Sequence, residues 1–355
     1  MDVGLKTAIK TLYVGPLDPS GTCSARLRAL QSINERTEAM DTSFVGNQGG
    51  RLRNYLAAQF CFDSGFIDSN RSLLSKVDHL RPAVVWIDKG FWIWKRTLDR
   101  IAKAGVFLVH HNTDDIFAAH SRWTYRLLRA AVSNYDIHFT SNSNNLNDLA
   151  ALGAHYVQLT HLGYDHERFY PRTLTPSEAQ SWTNDVVFVG HWEPATERHI
   201  VGLVEAGLSV KVYGGGWHNA KSVKYLRKAV GFRSLSNEDY VRCLLGARIA
   251  LCFVSKLNRN ATAGRTFEIP ACGTFLLGER TEAHQRLYTE GEEAEFFADT
   301  AELIAKTHFY LAHPTARESI AQKGHDRCLS SGYSWLAHMR EDWRKVVCML
   351  EEREN

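Results

Sequence analysis

The segment Arg265-Thr-Phe-Glu-Ile-Pro-Ala-Cys-Gly273 places one acid where its surroundings demand a partner. Glu268 stands at a helix start just before an apolar strand, Thr274-Phe-Leu-Leu-Gly278, with Phe267, Ile269, Pro270, Ala271 and Cys272 around it. A carboxylate in a first helical turn gains a favourable dipole contact and needs nothing more. Buried among such neighbours without hydrogen bonds, however, it would cost roughly 2 to 7 kcal/mol. Something polar is therefore expected to satisfy it. Arg265, three residues earlier, offers a planar fork that suits phosphate oxygens. Arg259, in the preceding loop Leu257-Asn-Arg-Asn-Ala-Thr-Ala-Gly-Arg-Thr266, offers either the same service or a solvated surface charge.

A second cluster is His110-His-Asn-Thr-Asp-Asp115. Imidazole and carboxylate are both metal ligands, but no further cluster stands at ligand spacing, and no metal is expected. Asp114 and Asp115 could instead orient hydroxyls or take a proton, for which a base must come within about 3 Å. A helix cap is the alternative for either one. Two glycine-bearing loops suit an anion. One is Gly15-Pro-Leu-Asp-Pro-Ser-Gly-Thr22, containing Asp18 and Gly21; the other is Gly214-Gly-Gly-Trp-His-Asn219. A loop at the carboxyl end of a parallel strand, opening a helix, is where an open α/β sheet binds ligands. In the second loop Asn219 replaces the third glycine of the dinucleotide fingerprint, which argues against a dehydrogenase. Tight strand-to-helix turns account for both loops equally well. In Lys89-Gly-Phe-Trp-Ile-Trp-Lys-Arg96, a helix start with core aromatics explains Trp92 and Trp94 more simply than a membrane surface or nucleic acid, while Lys89 could meet an anionic or hydroxylated ligand.

The elements that must hold these residues form two series. Thr11–Gly15, Ala83–Asp88, Val106–His110 and Tyr135–Thr140 read as strands, with helices such as Trp92–Ala104 and Ser121–Val132 between them. Asp185–Gly190, Ser209–Gly214, Arg248–Val254 and Gly273–Gly278 form the second series. Such alternation predicts parallel sheets covered by helices on both faces. Two domains are also what a 355-residue chain suggests. Their expected bounds are 1–175 and 185–333, with the polar stretch Pro171–Asn184 as linker. Residues 334–355 form an amphipathic terminal helix, from Trp335, Leu336, Met339, Trp343, Val346, Val347 and Leu350 at helical spacing. That helix packs either on its own domain or back on the first.

Composition excludes several classes. Hydrophobic residues at 44% and charged residues at 23% describe an ordinary globular protein. A net charge of +3 is too mild to indicate nucleic acid. The seven scattered cysteines (Cys23, Cys61, Cys243, Cys252, Cys272, Cys328, Cys348) form no Cys-x-x-Cys and read as reduced and mostly buried. Met1-Asp-Val-Gly-Leu-Lys-Thr7 carries no apolar run of signal length, and no stretch reaches about 18 apolar residues. A cytoplasmic location is expected, with peripheral membrane contact left open.

Arg265–Gly273, then Glu279-Arg-Thr-Glu282, then Gly291-Glu-Glu-Ala-Glu-Phe-Phe297, resembles the C-terminal domain of GT-B glycosyltransferases related to the CgeB spore-maturation proteins. Leu162-Gly-Tyr-Asp-His-Glu-Arg-Phe-Tyr-Pro171 resembles the segment that closes the N-terminal domain of many such enzymes. The likeness is densest from Asp185 to Phe297. It implies two Rossmann-like, doubly wound domains facing across a cleft, with a nucleotide-sugar on the second and a glycan, lipid-linked glycan or protein acceptor on the first. It implies hexosyl transfer of the polysaccharide-building kind, with a UDP-linked donor favoured over dTDP or GDP and no cofactor or metal. Glu268 would accept bonds from ribose hydroxyls. The implied donor set is completed by Arg265, Thr266, Gly190, His191, Gly214, Gly215, Asn258, Arg259, Asn260, Gly15 and Gly21. Lys89 and Asp18 fall on the acceptor side, and Asp114, Asp115 and His111 form the catalytic set. Retaining members of the Glu-x7-Glu type carry an acid where this chain has Asn260, so stereochemistry is open. Two rivals remain. An epimerase or hydrolase would convert the donor with no acceptor present, and a silent binding protein would hold it without turnover.

Overall fold

The structure, a computed structural model, describes residues 7–43, 64–222, 224–231, 233–235 and 237–354. The chain divides into two compact units. The first comprises Met1–His161, Leu257–Arg259 and Trp335–Asn355. Its strands are β1 (Thr11–Gly15), β2 (Thr37–Asp41), β3 (Val84–Asp88), β4 (Phe107–Asn112), β5 (Ile137–Thr140) and β6 (Val157–Leu159). They form one parallel sheet in the order β2-β1-β3-β4-β5-β6. Helices α1 (Thr22–Ile33), α2 (Ser64–Leu80), α3 (Lys95–Lys103), α4 (Arg126–Ala130) and α5 (Asn144–Ala151) connect them.

Every residue of β1, β3 and β4 is buried, as a parallel sheet covered on both faces requires. Alternate side chains serve two cores. Leu12, Val14, Val85, Ile87 and Leu108 pack with Leu73 of α2 and Leu98 of α3. Tyr13, Val84, Trp86, Val109 and Phe139 pack with Leu30 of α1 and with the terminal helix, Trp335–Glu354. That helix presents Trp335, Met339, Trp343 and Val346 as one buried stripe. Trp343 Nε1 donates to Thr7 Oγ1 at 2.8 Å, and Thr160 Oγ1 donates to Asp342 at 3.0 Å. The last helix of the chain is thus part of the first unit's core.

The second unit comprises Leu162–Lys256 and Asn260–Ser334. After α6 (Pro176–Trp182) come β7 (Asn184–Val189), α7 (Pro194–Glu205), β8 (Val210–Tyr213), α8 (Asn237–Leu245), β9 (Ala247–Cys252), α9 (Arg265–Ala271), β10 (Leu276–Glu279), α10 (Glu282–Leu287), β11 (Glu295–Phe297), α11 (Thr300–Ala312) and α12 (Pro314–Ser330). The sheet is again parallel, in the order β11-β10-β9-β7-β8.

Several elements depart from the sequence reading. The edge strands β2, β6 and β11 carry no long apolar run, and no residue of β6 is fully buried. The helix expected from Trp92 starts at Lys95, because Asn70 accepts the Trp94 N–H and the Thr97 hydroxyl and fixes the turn there. The α-helix within Ser121–Val132 is the short α4, since the first half of that stretch offers the exposed Trp123 and no apolar stripe to bury. Pro171–Asn184 contains α6, whose start is a capping box between Thr175 and Glu178. Cys23, Cys243, Cys252, Cys272 and Cys328 are free and buried and Cys348 is exposed, while Cys61 lies outside the described residues. No helix among the described residues is long and apolar enough to cross a membrane.

Candidate functional site

Each sheet has one point where strand order reverses, the place at which open parallel sheets bind ligands. In the second unit it lies between β7 and β9. Arg265, at the start of α9, spans it: one terminal nitrogen donates to the Val189 carbonyl at 2.9 Å and the other to the Phe253 carbonyl at 3.1 Å. The guanidinium also lies over the Phe188 ring, 5.0 Å from its centroid. Among the described residues, its hydrogen bonds go to neutral carbonyls. Its buried Nε has no hydrogen-bond partner among the described residues. The result is a fixed positive charge at the carboxyl ends of two central strands.

Two glycine loops adjoin it. Gly214 has φ 135°, and a Cβ there would lie 2.1 Å from the Gly190 carbonyl oxygen, so the loops after β7 and β8 meet backbone to backbone only because glycine is present. Gly190 N–H donates to the Tyr213 carbonyl at 2.8 Å, and Trp192 N–H to Gly215 at 2.9 Å. The His191 ring rests against Gly215 and Gly216 and is exposed.

Glu268 lies one turn beyond Arg265 and is half-buried. Tyr240 of α8 donates its hydroxyl to Glu268 Oε2 at 2.7 Å, whereas Oε1 accepts nothing among the described residues. Burial raises the carboxyl above its ordinary range. The Tyr240 bond and the charges of Arg265 and Arg168 offset this only in part. Thr266, expected beside them, is buried and faces inward: its hydroxyl meets His284 Nε2 at 2.8 Å and accepts from Ala263 N–H. It is corrected from a ligand contact to an internal tie. Asn260 is half-buried, its N–H donating to the Ser255 carbonyl at 3.0 Å.

In the first unit the reversal lies between β1 and β3. Gly15 ends β1 there, and a Cβ on it would come within 3.1 Å of Asp88 Cβ. Asp88 is buried and forked by Arg26 at 2.7 and 3.0 Å, with the Tyr13 hydroxyl donating at 2.5 Å. Burial would raise its carboxyl, but Arg26 holds it well below the usual range. Asp18 shapes the turn that follows, accepting from Ser20 N–H through its side chain and from Gly21 N–H through its carbonyl. Gly21 is then the N-cap of α1.

Lys89 directly follows β3 in the left-handed region, φ 69°, a conformation that costs a non-glycine residue about 1 kcal/mol or more. Its Nζ donates to Asp114 Oδ2 at 3.0 Å, and the Tyr125 hydroxyl donates to the same oxygen at 2.6 Å. Oδ1 accepts nothing among the described residues. Burial pushes the Asp114 carboxyl up, but Lys89 and Tyr125 outweigh it and leave it below the ordinary range.

Four expected site residues are placed otherwise. Asp115 is buried, accepts from Phe117 N–H, and is gripped by both arms of Arg259 at 2.5 and 2.9 Å. Arg259 also reaches Asp148 at 3.3 Å, so its charge is already neutralised and a diphosphate contact is not supported. His111 is fully buried between Trp86 and Phe139, and burial, with Arg26 nearby, pulls it down to about 3. It cannot reach a substrate. Asn258 contributes a backbone carbonyl to Asn142 Nδ2 at 2.8 Å. Tyr125, Tyr240 and Arg26, which organise the acids, have no local sequence signal, because each bonds a residue 11, 28 or 62 positions away.

Residues 195–341 match a family model described as glycosyl transferase-like. No curated protein sequence matches the chain. Among solved structures, Anabaena HepE with UDP-glucose aligns over 96% of this chain and 100% of its own, at 13% identity and TM-score 0.66. Sucrose-phosphate synthase of Thermosynechococcus elongatus covers 97% and 100% at 11% identity and TM-score 0.66. A UDP-N-acetylglucosamine 2-epimerase-like protein of Listeria monocytogenes covers 98% and 98% at 11% identity and TM-score 0.59. The chain therefore has the two-domain GT-B fold, and its second half carries a glycosyl transferase-like segment.

Proposed function

We propose that the protein transfers a sugar, of the hexose class, from a nucleotide-diphosphate sugar to a hydroxyl-bearing acceptor. The observation that carries this reading is Arg265, a guanidinium fixed by carbonyls, in no ion pair among the described residues and set beside two glycine loops. It receives the diphosphate, and the open Oε1 of Glu268 receives a ribose hydroxyl. Asp114 stays ionised at neutral pH and presents Oδ1 to the acceptor hydroxyl. As the acceptor oxygen bonds to the anomeric carbon, the bond to the diphosphate breaks. The diphosphate leaves against Arg265 and the hydroxyl proton passes to Asp114. Positioning and charge stabilisation supply most of the acceleration. UDP is the assigned carrier, on the strength of HepE's complexes with UDP and UDP-glucose, and kinship to the CgeB group remains part of this reading.

The test is calorimetry on folded Arg265→Ala with UDP and with uridine. Affinity for UDP should fall far more than affinity for uridine, because only UDP carries the charge being neutralised. Equal losses would retire the assignment. The Listeria match supports a second reading, conversion of the donor alone, and steady UDP release or epimerisation without any acceptor would favour it.

A further inference from the structure

At the amino-terminal end of the second unit's sheet lies a solvent-open cavity of about 540 Å³. The start of β9, the turn that ends α9 at Cys272–Gly273, the Pro171–Thr173 segment and the first turns of α12 form its walls. Three arginines line it, Arg172, Arg248 and Arg317, against one acid, Glu318. Arg317 is only 8% exposed. One of its terminal nitrogens donates to the Tyr310 carbonyl at 2.8 Å, and the other lies 3.5 Å from its neighbour Glu318. Arg248 is held by Asp185 at 2.7 Å, and Arg172 loosely by Glu178 at 3.8 Å and Glu238 at 3.5 Å. Burial pulls the Arg317 guanidinium below the usual arginine range, Glu318 and Asp185 push back, and Arg248 pulls further. An anion would relieve that cost.

The six residues of β9 separate this cavity from the Phe253 carbonyl that anchors Arg265 by about 20 Å. None of the donor or acceptor residues named above lines it. A volume of this size suits a small ligand. Three guanidinium groups line one cavity, and a tetrahedral dianion can accept from more than one of them, whereas a planar carboxylate takes a single fork. We propose that the cavity binds a phosphate group, carried by a small metabolite or free in solution. This inference uses no residue of the assigned reaction, so either can fail without the other.

The experiment is calorimetric titration of inorganic phosphate and of glycerol 3-phosphate into the full chain, Arg265→Ala and Arg317→Gln. Both probes should bind the unaltered protein and Arg265→Ala, and Arg317→Gln should bind roughly tenfold more weakly. A tighter ester identifies a metabolite as the occupant; equal affinities identify the free ion. If Arg317→Gln does not fold, Arg248→Gln, at an exposed position, should still weaken both probes several-fold. No binding to the unaltered protein overturns the proposal. So does loss of binding in Arg265→Ala with full affinity retained in Arg317→Gln.

Discussion

Asp114 and Glu268 are each held through one oxygen by a tyrosine hydroxyl, Tyr125 at 2.6 Å and Tyr240 at 2.7 Å, and the other oxygen of each accepts nothing among the described residues. Their carboxyls nonetheless move in opposite directions. Asp114 lies below the ordinary range because Lys89 sits 3.0 Å away, while Glu268 lies above it because burial outweighs a tyrosine and more distant arginines. A tyrosine orients a carboxylate in either place; a directly bonded cation decides whether it keeps its charge. Both units use the same anchor, but only the first adds the cation.

The strongest challenge to this contrast is Asp114→Asn. The amide cannot take a proton, so kcat should fall by roughly 10²- to 10⁴-fold, with donor affinity unchanged. A loss in donor affinity that matches the loss in kcat would show Asp114 acting on the donor instead. Glu268→Ala comes next. Each lost charge-assisted bond is worth about 1.5 to 3 kcal/mol, so the donor dissociation constant should rise at least about tenfold. Glu268→Gln should be milder, because the amide still accepts one bond. An unchanged constant, measured on protein of normal melting temperature, would leave Glu268 as a structural acid bonded to Tyr240.

The direction of the Glu268 shift sharpens the contrast further. A ribose hydroxyl bonds better to the ionised form, so donor affinity should rise as pH climbs through the raised carboxyl, by several-fold. Asp114 titrates below its ordinary range and should add no step above pH 5. A flat titration of donor affinity from pH 5 to 8, or an identical slope in Glu268→Gln, would break the assignment.

The smallest effect concerns a third acid. Asp342 is buried, bonded to Thr160, near His111, His338, Arg26 and Glu341, and burial raises it to about 7. Its unfolded form loses the proton near pH 4, so its contribution to stability is full below that and lost as pH rises to about 7. Asp342→Asn should therefore raise the melting temperature by several degrees at pH 8, change little at pH 4, and leave donor affinity alone. An unchanged melting temperature at pH 8 would show that the acid carries no such penalty.

The central strands were legible in the sequence because parallel strands buried on both faces read as unbroken apolar runs, as in Thr11–Gly15 and Val84–Asp88. Edge strands such as Val157–Leu159 were not, since a half-exposed strand has no such run to show. Gly214 and Gly190 were legible as loop glycines, although what they do is bring two backbones together, a fact of distance rather than of composition. Arg265, Glu268, Lys89 and Asp114 could be singled out by type and by position at strand or helix ends.

Their partners could not. By itself the sequence determined two parallel-sheet domains, an amphipathic last helix and a short roster of acids and arginines at the ends of strands. Periodicity and turn chemistry are local and survive in the linear order. Only the tertiary structure decided that Arg259 is consumed by Asp115, that His111 is sealed beneath Trp86, and that Arg265 donates to two strand-end carbonyls. A charge gripped by an opposite charge, as Arg259 is, has less to offer a ligand than one held by carbonyls, as Arg265 is. That is decided by which distant segments the fold brings within about 3 Å, the reach of a hydrogen bond.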